Sequence, residues 1–458
     1  MAKKKQIELT IEEKLQNALV PKEEQPYKIP SNWCWTRWGN LSNNIQYGVN
    51  TPATTEGNAR LVRISDIQEN KIIWDKVPYC NIDDKLVEQY LIKENDILFA
   101  RTGGTVGKSV MAIDVISNAV FAGYLIRSNY SKKLNGKYLK YFMESELYWT
   151  QLKIGTTATA QPNCNGKTLG KMVFPLSPIN EQQRIVNRIE SLFTKLDKAK
   201  ELIENTLAQF EQNKMAILHK AFTGELTAKW RKENNIDLSS WEIVSIKDIG
   251  EVKGGKRLPK GEMLVNENTG HPYIKAGNLK NGTVAFNDLQ YLKPQVYEKI
   301  KKYIVKENDV YITIVGACIG DVGIIPKEVN GANLTENAAK ITNLKCNAKF
   351  LSIQLSISSV QKQIKGKIAS ATLGKLSLQN IKNIQIKMPT IEEQQEIVNI
   401  LDKLLAKYNK IKNLEQQLEK IELLKKAILA KAFRGELGTN NPDEESAENL
   451  LKEILAEK

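Results

Sequence analysis

The run Arg101-Thr102-Gly103-Gly104-Thr105-Val106-Gly107-Lys108-Ser109 has the residue types that cradle a phosphate: glycines that let backbone N–H groups converge, a lysine and a hydroxyl. Its spacing is one residue short, because a P-loop needs glycine five positions before Gly107 and Thr102 stands there. A related run, Gly316-Ala317-Cys318-Ile319-Gly320-Asp321, carries aspartate where the lysine would be, so both read as glycine turns rather than nucleotide sites. Glu251-Val252-Lys253 is half of a metal-nuclease motif, but His219 and His271 are the only histidines and no matching carboxylate set accompanies them. A surface strand fits that tripeptide better. Cysteines 34, 80, 164, 318 and 346 are scattered and odd in number, with no C-x-x-C pair, which points to a reducing cytoplasm and no metal site. There is no Asn-Pro-Pro-Tyr-type methyltransferase loop, no G-x-S-x-G elbow and no H-E-x-x-H. The expectation is a binding protein with no catalytic residues of its own.

Charge says what it binds. The chain holds 66 Lys and Arg against 52 Asp and Glu, a net +14. Residues 25–176 carry 18 basic and 12 acidic groups and residues 235–388 carry 22 and 13; the remainder carries 26 and 27. The excess therefore sits in two segments, as two basic globules on a neutral scaffold. A polyanion, DNA or RNA, is the first candidate. No apolar run approaches the ~20 residues that span a bilayer, and Met1-Ala2-Lys3-Lys4-Lys5 does not open a signal peptide.

The scaffold is a repeat. Glu181-Gln182-Gln183-Arg184-Ile185-Val186-Asn187 opens a stretch that closes at Ala221-Phe222-Thr223-Gly224-Glu225-Leu226. Glu393-Gln394-Gln395-Glu396-Ile397-Val398-Asn399 opens its second copy, which closes at Ala432-Phe433-Arg434-Gly435-Glu436-Leu437. Apolar residues recur at steps of four and three on both: Ile185, Ile189, Leu192, Leu196, Ile203 and Phe210, then Ile397, Leu401, Leu404, Tyr408 and Leu418, with a stammer where the second copy has lost a residue. Such a narrow seam predicts two long helices paired as an antiparallel coiled coil, each a rod of roughly 60 Å.

Proline turns (Pro178, Pro389) precede the rods and Gly224 or Gly435 follows each. The predicted order is an N-terminal helical segment (1–24), a globule (25–176), a helix (177–234), a second globule (235–388), a second helix (389–437) and a helical tail (438–458). Thr10 with Glu13 caps a first helix from Ile11 to Leu19, and Glu444 to Leu455 reads as its partner in the tail, so that chain start and chain end could meet. Within the first globule, strands are expected over 61–64, 72–77, 96–100 and 120–126, and a helix over 139–154. The globules share anchors, such as Tyr90-Leu91-Ile92-Lys93-Glu94-Asn95-Asp96 with Tyr303-Ile304-Val305-Lys306-Glu307-Asn308-Asp309, and differ between them. The fold class is α+β: two mixed α/β globules joined by two long antiparallel helices, with cyclic pseudo-two-fold symmetry.

Polar residues around the glycine turns suit base-edge reading. Candidates for DNA contact are Arg63, Lys71, Arg101, Thr102, Lys108, Lys253, Lys256, Arg257, Lys275, Asn278 and Lys280. Arg or Lys can grip guanine O6 and N7, Asn can grip adenine, and most lysines would meet phosphate. Any one of them is equally well a solvated surface residue.

The paired rods with Glu-Gln-Gln-x-Ile-Val starts and Ala-Phe-x-Gly-Glu-Leu ends, the Pro-x-x-Trp domain openings and the Gly-Glu-Leu-Thr-Ala-Lys-Trp-Arg exit at 224–231 resemble the specificity (S) subunits of type I restriction–modification systems. The resemblance covers essentially the whole chain. It implies that each globule is a target-recognition domain reading one half of a split, asymmetric sequence in double-stranded DNA. The rods would act as the ruler between half-sites and the dock for two methyltransferase (M) subunits, with restriction (R) motor–nuclease subunits joining them. S-adenosylmethionine, ATP and Mg are then expected on the partners and none in this chain. A nucleic-acid-binding scaffold without sequence preference is the alternative.

Overall fold

A computed structural model of the chain describes residues 9–156, 164–369, 374–406 and 411–458. It falls into two compact units, Met1–Ile203 with Glu415–Lys458, and Glu204–Leu414. The division cuts both long helices, so each unit holds one globule and a portion of each helix. Unit 1 draws its parts from the two ends of the chain and unit 2 from the middle, which is the content of a cyclic repeat.

The first long helix runs Ile179–Thr223; the second is described over Ile391–Ala406 and Ile411–Ala432. In unit 1 they run antiparallel: Asp197 pairs with Lys425 at 2.5 Å and Lys200 with Glu422 at 3.2 Å, so one number falls as the other rises. In unit 2 the end of the first helix meets the start of the second, where Ala221 and Phe222 cluster with Ile397, Val398, Leu401 and Phe350. Ile185, Ile189, Ile397 and Leu401 of the seam are buried; Leu192, Leu196, Ile203, Phe210, Leu404 and Leu418 are half-buried. Within each unit the seam is thus deep where the globule sits on it and shallower farther along the helices. Tyr408, beside the stammer, lies outside the described residues.

Each globule is made of small sheets, and every sheet of one unit has its counterpart in the other. A four-stranded sheet runs Ser42–Tyr47, Leu125–Tyr130, Ile97–Ala100, Ser109–Met111 in unit 1 and Glu251–Gly254, Ala338–Thr342, Val310–Thr313, Val322–Ile324 in unit 2. A three-stranded sheet centred on Ala59–Val62 answers to one centred on Pro272–Ile274. Both carry one parallel pairing, Leu61 to Val120 and Ile274 to Leu334.

Four local expectations are corrected. The strand over 120–126 is two strands in different sheets, Ala119–Phe121 and Leu125–Tyr130, because a turn closed by the Leu125 N–H on the Ala122 carbonyl breaks it. The strand over 72–77 ends at Ile72 and becomes a 3-10 turn at Trp74–Lys76. The helix over 139–154 is two helices, Gly136–Phe142 and Glu146–Thr156; Ser145 breaks it by donating to the Phe142 carbonyl and accepting from the Tyr148 N–H. At the chain ends the first helix spans Ile11–Ala18 with a capping box from Thr10 and Glu13. The tail helix begins at Ala447, three residues later than expected, because Ser446 is its cap and Glu444 pairs with Arg184 at 2.6 Å. The two terminal helices pack together in unit 1, with Lys452 on Glu12 at 2.8 Å.

The repeated Glu-Gln-Gln is what bolts globule to helix. Glu181 is fully buried and accepts from the indole N–H of Trp33 at 2.7 Å; Glu393, also fully buried, accepts from that of Trp241 at 2.9 Å. Gln182 accepts from the Asn135 N–H and Gln183 from the Asn135 amide, as Gln394 and Gln395 do from Asn347. The carboxylates are satisfied differently. Asn440 and Thr439 complete the shell of Glu181, whereas Glu393 takes the Thr227 hydroxyl and the guanidinium of Arg231, each at 2.6 Å. Removing one partner of a buried ion pair costs about 3–5 kcal/mol, and replacing a buried hydrogen-bonded acceptor by another acceptor costs about 1 kcal/mol. Glu393→Gln, which leaves Arg231 without its counter-charge, should therefore destabilise its unit by about 3–5 kcal/mol and Glu181→Gln by about 1 kcal/mol, read from urea midpoints followed by tryptophan fluorescence. Equal shifts would show that Arg231 is not the difference.

Candidate nucleic-acid interface

In each unit four segments cross at one place, and the crossing is held mainly by backbone hydrogen bonds, joined in unit 2 by the Tyr273 hydroxyl on the Lys256 carbonyl. In unit 1 the Val49 N–H donates to Phe121, Ala122 to Val62, Gly123 to Val49 and Arg101 to Tyr124. In unit 2 Lys256 donates to Leu334, Thr335 to Ile274 and Ile314 to Asn337. The approach is close enough to require glycine: a Cβ on Gly48 would lie 2.2 Å from the Ala122 oxygen, and one on Gly255 2.0 Å from the Thr335 oxygen.

The side chains at this common crossing differ. Unit 1 presents Arg101, whose guanidinium lies over the Tyr47 ring at 4.8 Å, flanked by Tyr124, which is 66% exposed. Arg63 follows the Val62 end and forms a fork with Asp66 at 2.9 Å, leaving its own side chain 41% exposed. Unit 2 puts buried Ile314 where Arg101 stands and Asn337 where Tyr124 stands. Its cations come from other segments: Lys256 over the Tyr303 ring, Arg257 on Glu336 at 2.5 Å, and Lys275 on Gln290 at 3.0 Å.

The glycine turns lie beside the crossings and are hairpin connections. The Gly107 N–H returns to Ala100 and the Gly320 N–H to Thr313, each at 2.8 Å, and a strand rather than a helix follows. A phosphate cradle at a helix N-terminus is therefore not formed. A side chain from the adjacent helix holds each turn, the Tyr148 hydroxyl on Gly107 and the Gln361 amide on Gly320. Thr102 and Lys108 lie on the first turn, with Lys108 exposed, and Asp321 is exposed at the matching position of the second.

Lys71 and Lys280 are exposed on matching two-stranded hairpins, Ile67–Gln68 with Lys71–Ile72 and Leu279–Lys280 with Thr283–Val284. Lys253 is exposed on its strand with its ammonium on Glu251 at 2.6 Å, as befits the surface-strand reading of that tripeptide. Asn278 is corrected from base reader to structural residue: it is 3% exposed, its amide donates to the Ala285 carbonyl, and its oxygen caps the Lys275 N–H. Asp66 does the same job beside Arg63. Sequence reasoning misses Tyr47 and Tyr124, of which Tyr47 lies far from Arg101 along the chain, and it misses two buried cations. Arg127 pairs with Asp96 and Lys340 with Asp309, each at 2.9 Å, which removes both from any nucleic-acid face.

Among the described residues no group of three His, Cys, Asp or Glu stands together to hold a metal ion, and no helix is long and apolar enough to cross a membrane. All five cysteines are free; burial pushes the Cys164 thiol up to about 12 and that of Cys346 to about 11.

Two basic globules of one topology, each with a backbone-held crossing and its own set of exposed side chains, describe a protein with paired recognition modules. The profile of the family described as "Type I restriction modification DNA specificity domain" matches residues 54–209 and 239–423, and the chain belongs to that family as a specificity subunit. It is 29% identical over 345 residues to the type I restriction enzyme EcoBI specificity subunit of Escherichia coli, covering 70% of this chain and 72% of that one. The EcoKI specificity subunit of Escherichia coli K12 is 26% identical over 430 residues, 87% of this chain and 88% of that one. The fold is that of a chain from a structural study of assembly and conformational transition in a type I R-M system (TM-score 0.68, 19% identity, 90% of this chain and 100% of that one). It is shared with the HsdS subunit from Thermoanaerobacter tengcongensis (TM-score 0.53, 19% identity, 90% and 99%).

Because Asn278 holds a turn and Lys108 projects into solvent, their removal should separate. Asn278→Ala is expected to lower stability by about 1–3 kcal/mol and Lys108→Ala to stay within about 0.5 kcal/mol, measured by thermal unfolding. An Asn278→Ala protein of unchanged stability would return that residue to the contact candidates.

Proposed function

We propose that this chain reads a bipartite, asymmetric sequence in double-stranded DNA, one half-site at each four-segment crossing, and has no catalytic step of its own. The observation that carries the reading is the identity of the two backbone frames together with the difference in their side chains. A frame held by N–H to carbonyl bonds presents the same geometry whatever its side chains are. Unit 1 offers an arginine over the Tyr47 ring with exposed Tyr124 on the neighbouring segment, and unit 2 offers Lys256, Arg257 and Lys275 with Asn337. Arg101 is suited to the bidentate grip on guanine, whereas Lys71, Lys108, Lys253 and Lys280 suit phosphate.

The long helices set the gap between half-sites and dock two methyltransferase subunits, which supply S-adenosylmethionine and methylate adenine. Restriction subunits bring ATP, Mg and cleavage. EcoBI and EcoKI, which the chain resembles along most of its length, are described as type I restriction enzyme specificity subunits and support this placement.

The test is selection from a random duplex pool, using the chain co-purified with its methyltransferase subunit. Two short motifs at a fixed gap are expected. One motif would leave a single reading unit, and no enrichment, with binding that only fades as salt rises, would make the chain a phosphate-gripping scaffold. Arg101→Ala should cost about 1–3 kcal/mol and relax one half-site alone, while Lys280→Ala should weaken all sequences alike and reduce the salt slope by about 1. Deleting a pair of heptads from each long helix should shorten the selected gap and leave both half-sites unchanged; a gap of unchanged length would remove the helices as its ruler.

A further inference from the structure

Unit 1 fills a surface that unit 2 leaves open. In unit 1 the segment after the first helix lies along the strand Cys34–Arg37: the Val20 N–H donates to the Trp35 carbonyl at 2.9 Å, and Leu19 bridges Thr36. Further on, Tyr27 meets the Trp35 ring edge-on at 5.0 Å and its hydroxyl donates to the Phe433 carbonyl at 3.0 Å. Ile29 completes the cover, and Trp35 is left 3% exposed.

The equivalent strand of unit 2 is Glu242–Ser245. Ile243 sits opposite Lys387 as Trp35 sits opposite Pro175, and Phe222 holds the place of Phe433 in the repeated Ala-Phe-x-Gly-Glu-Leu. Here the preceding chain takes another route. After Gly224 it forms the short helix Ala228–Glu233, pinned by Arg231 to the Gly224 carbonyl and to Glu393. Among the described residues nothing bridges the outer edge of this strand. What remains is a groove of about 940 Å³ whose apolar walls include Met215, Phe222, Ile243 and Ile357. Ile243 is 69% and Met215 57% exposed. Lys214, Lys362 and Lys387 stand along it, and the single lining acid, Glu211, lies 3.8 Å from Lys214, which leaves the groove net positive.

We propose that the open edge of Glu242–Ser245 and the groove over Ile243 together dock an extended segment of a partner protein, which bonds the edge as Leu19 and Val20 bond Cys34–Arg37 and lays an aromatic side chain over Ile243 as Tyr27 lies against Trp35. The occupant carries an aromatic residue with an aliphatic one two positions on, as Tyr27 and Ile29 do, and its flanks are acidic to meet the three lysines. Edge addition supplies main-chain hydrogen bonds, and the aromatic supplies the buried area that Trp35 obtains from Tyr27.

The probe is a fluorescein-labelled peptide with the sequence Leu19–Pro30, titrated with the full chain and followed by anisotropy. Saturable binding is expected, lost with a Tyr27→Ala peptide and tightened at low salt by Lys22→Glu with Lys28→Glu in the peptide. Ile243→Glu and Met215→Glu in the chain alter exposed side chains, so folding is retained, and each should weaken binding by about tenfold or more because the bound charge would be desolvated. An absence of saturable binding, or equal binding to the Ile243→Glu chain, overturns the proposal. So does a concentration-dependent dimer by sedimentation that Ile243→Glu abolishes, since the occupant would then be a second copy. DNA selection by the same chain is independent of all these outcomes.

Discussion

A carboxylate fully removed from water must be answered by donors, and in this protein the donor is an indole N–H from the start of each recognition domain. Glu181 and Trp33 are 148 residues apart and Glu393 and Trp241 152 apart, so each contact closes a whole globule onto its helix. An unanswered carboxylate at that depth would cost several kcal/mol, which makes the seating of the domain all-or-none rather than graded. The next two residues, both glutamines, reinforce it by holding Asn135 or Asn347, which in turn cap the helices Gly136–Phe142 and Ala348–Ser356. One tripeptide thus orients a domain, begins its helix and leaves the crossing segments at a set place in the unit.

That arrangement separates the residues that must be kept from those free to vary. The crossing is made by N–H to carbonyl bonds and by two glycines whose missing Cβ lets the strands approach. The same frame accepts Arg101 over a tyrosine ring in one unit and Ile314 packed into the core in the other. Buried polar pairs obey the opposite rule. Arg127 with Asp96 is repeated as Lys340 with Asp309, and the cation changes type only where the acid is retained. Variation is tolerated at the surface of the frame and constrained at its polar core, the pattern expected when affinity for DNA is shared between fixed geometry and replaceable contacts.

The long helices are legible in the sequence because their period is sustained over many turns, and the glycine turns because a missing glycine excludes a P-loop. The sheets are much less so. Strands of two to four residues, such as Lys71–Ile72 or Cys34–Arg37, have no room to show alternation, and many of their partners are distant in the chain. Ser145 breaks a helix whose apolar pattern continues through it. Charged residues are the hardest to place. Lys253 and Lys280 are on the surface, but Lys340 is buried on Asp309, and only the fold distinguishes them. Asn278 has the side chain of a base reader, yet its amide is used up inside a turn.

The difference between the two mounts originates in the segment that leaves each long helix. Both helices end at a glycine with positive φ, Gly224 at 86° and Gly435 at 74°, so the chain turns in the same way. After Gly224 the chain must go on to build another domain, and the segment available to shield Glu393 is a short helix whose Arg231 brings a positive charge into the site. After Gly435 it enters the tail, where Thr439 and Asn440 shield Glu181 with neutral donors and the terminal helix packs against Ile11–Ala18. A cation holds one carboxylate with a strong and local bond, while neutral donors need a larger surrounding shell to keep the other dry. In unit 1 that shell runs on through Asn32, which accepts from the Asn440 amide and, at its carbonyl, from the Ala447 N–H that begins the terminal helix; in unit 2 Arg231 answers the carboxylate from one short helix.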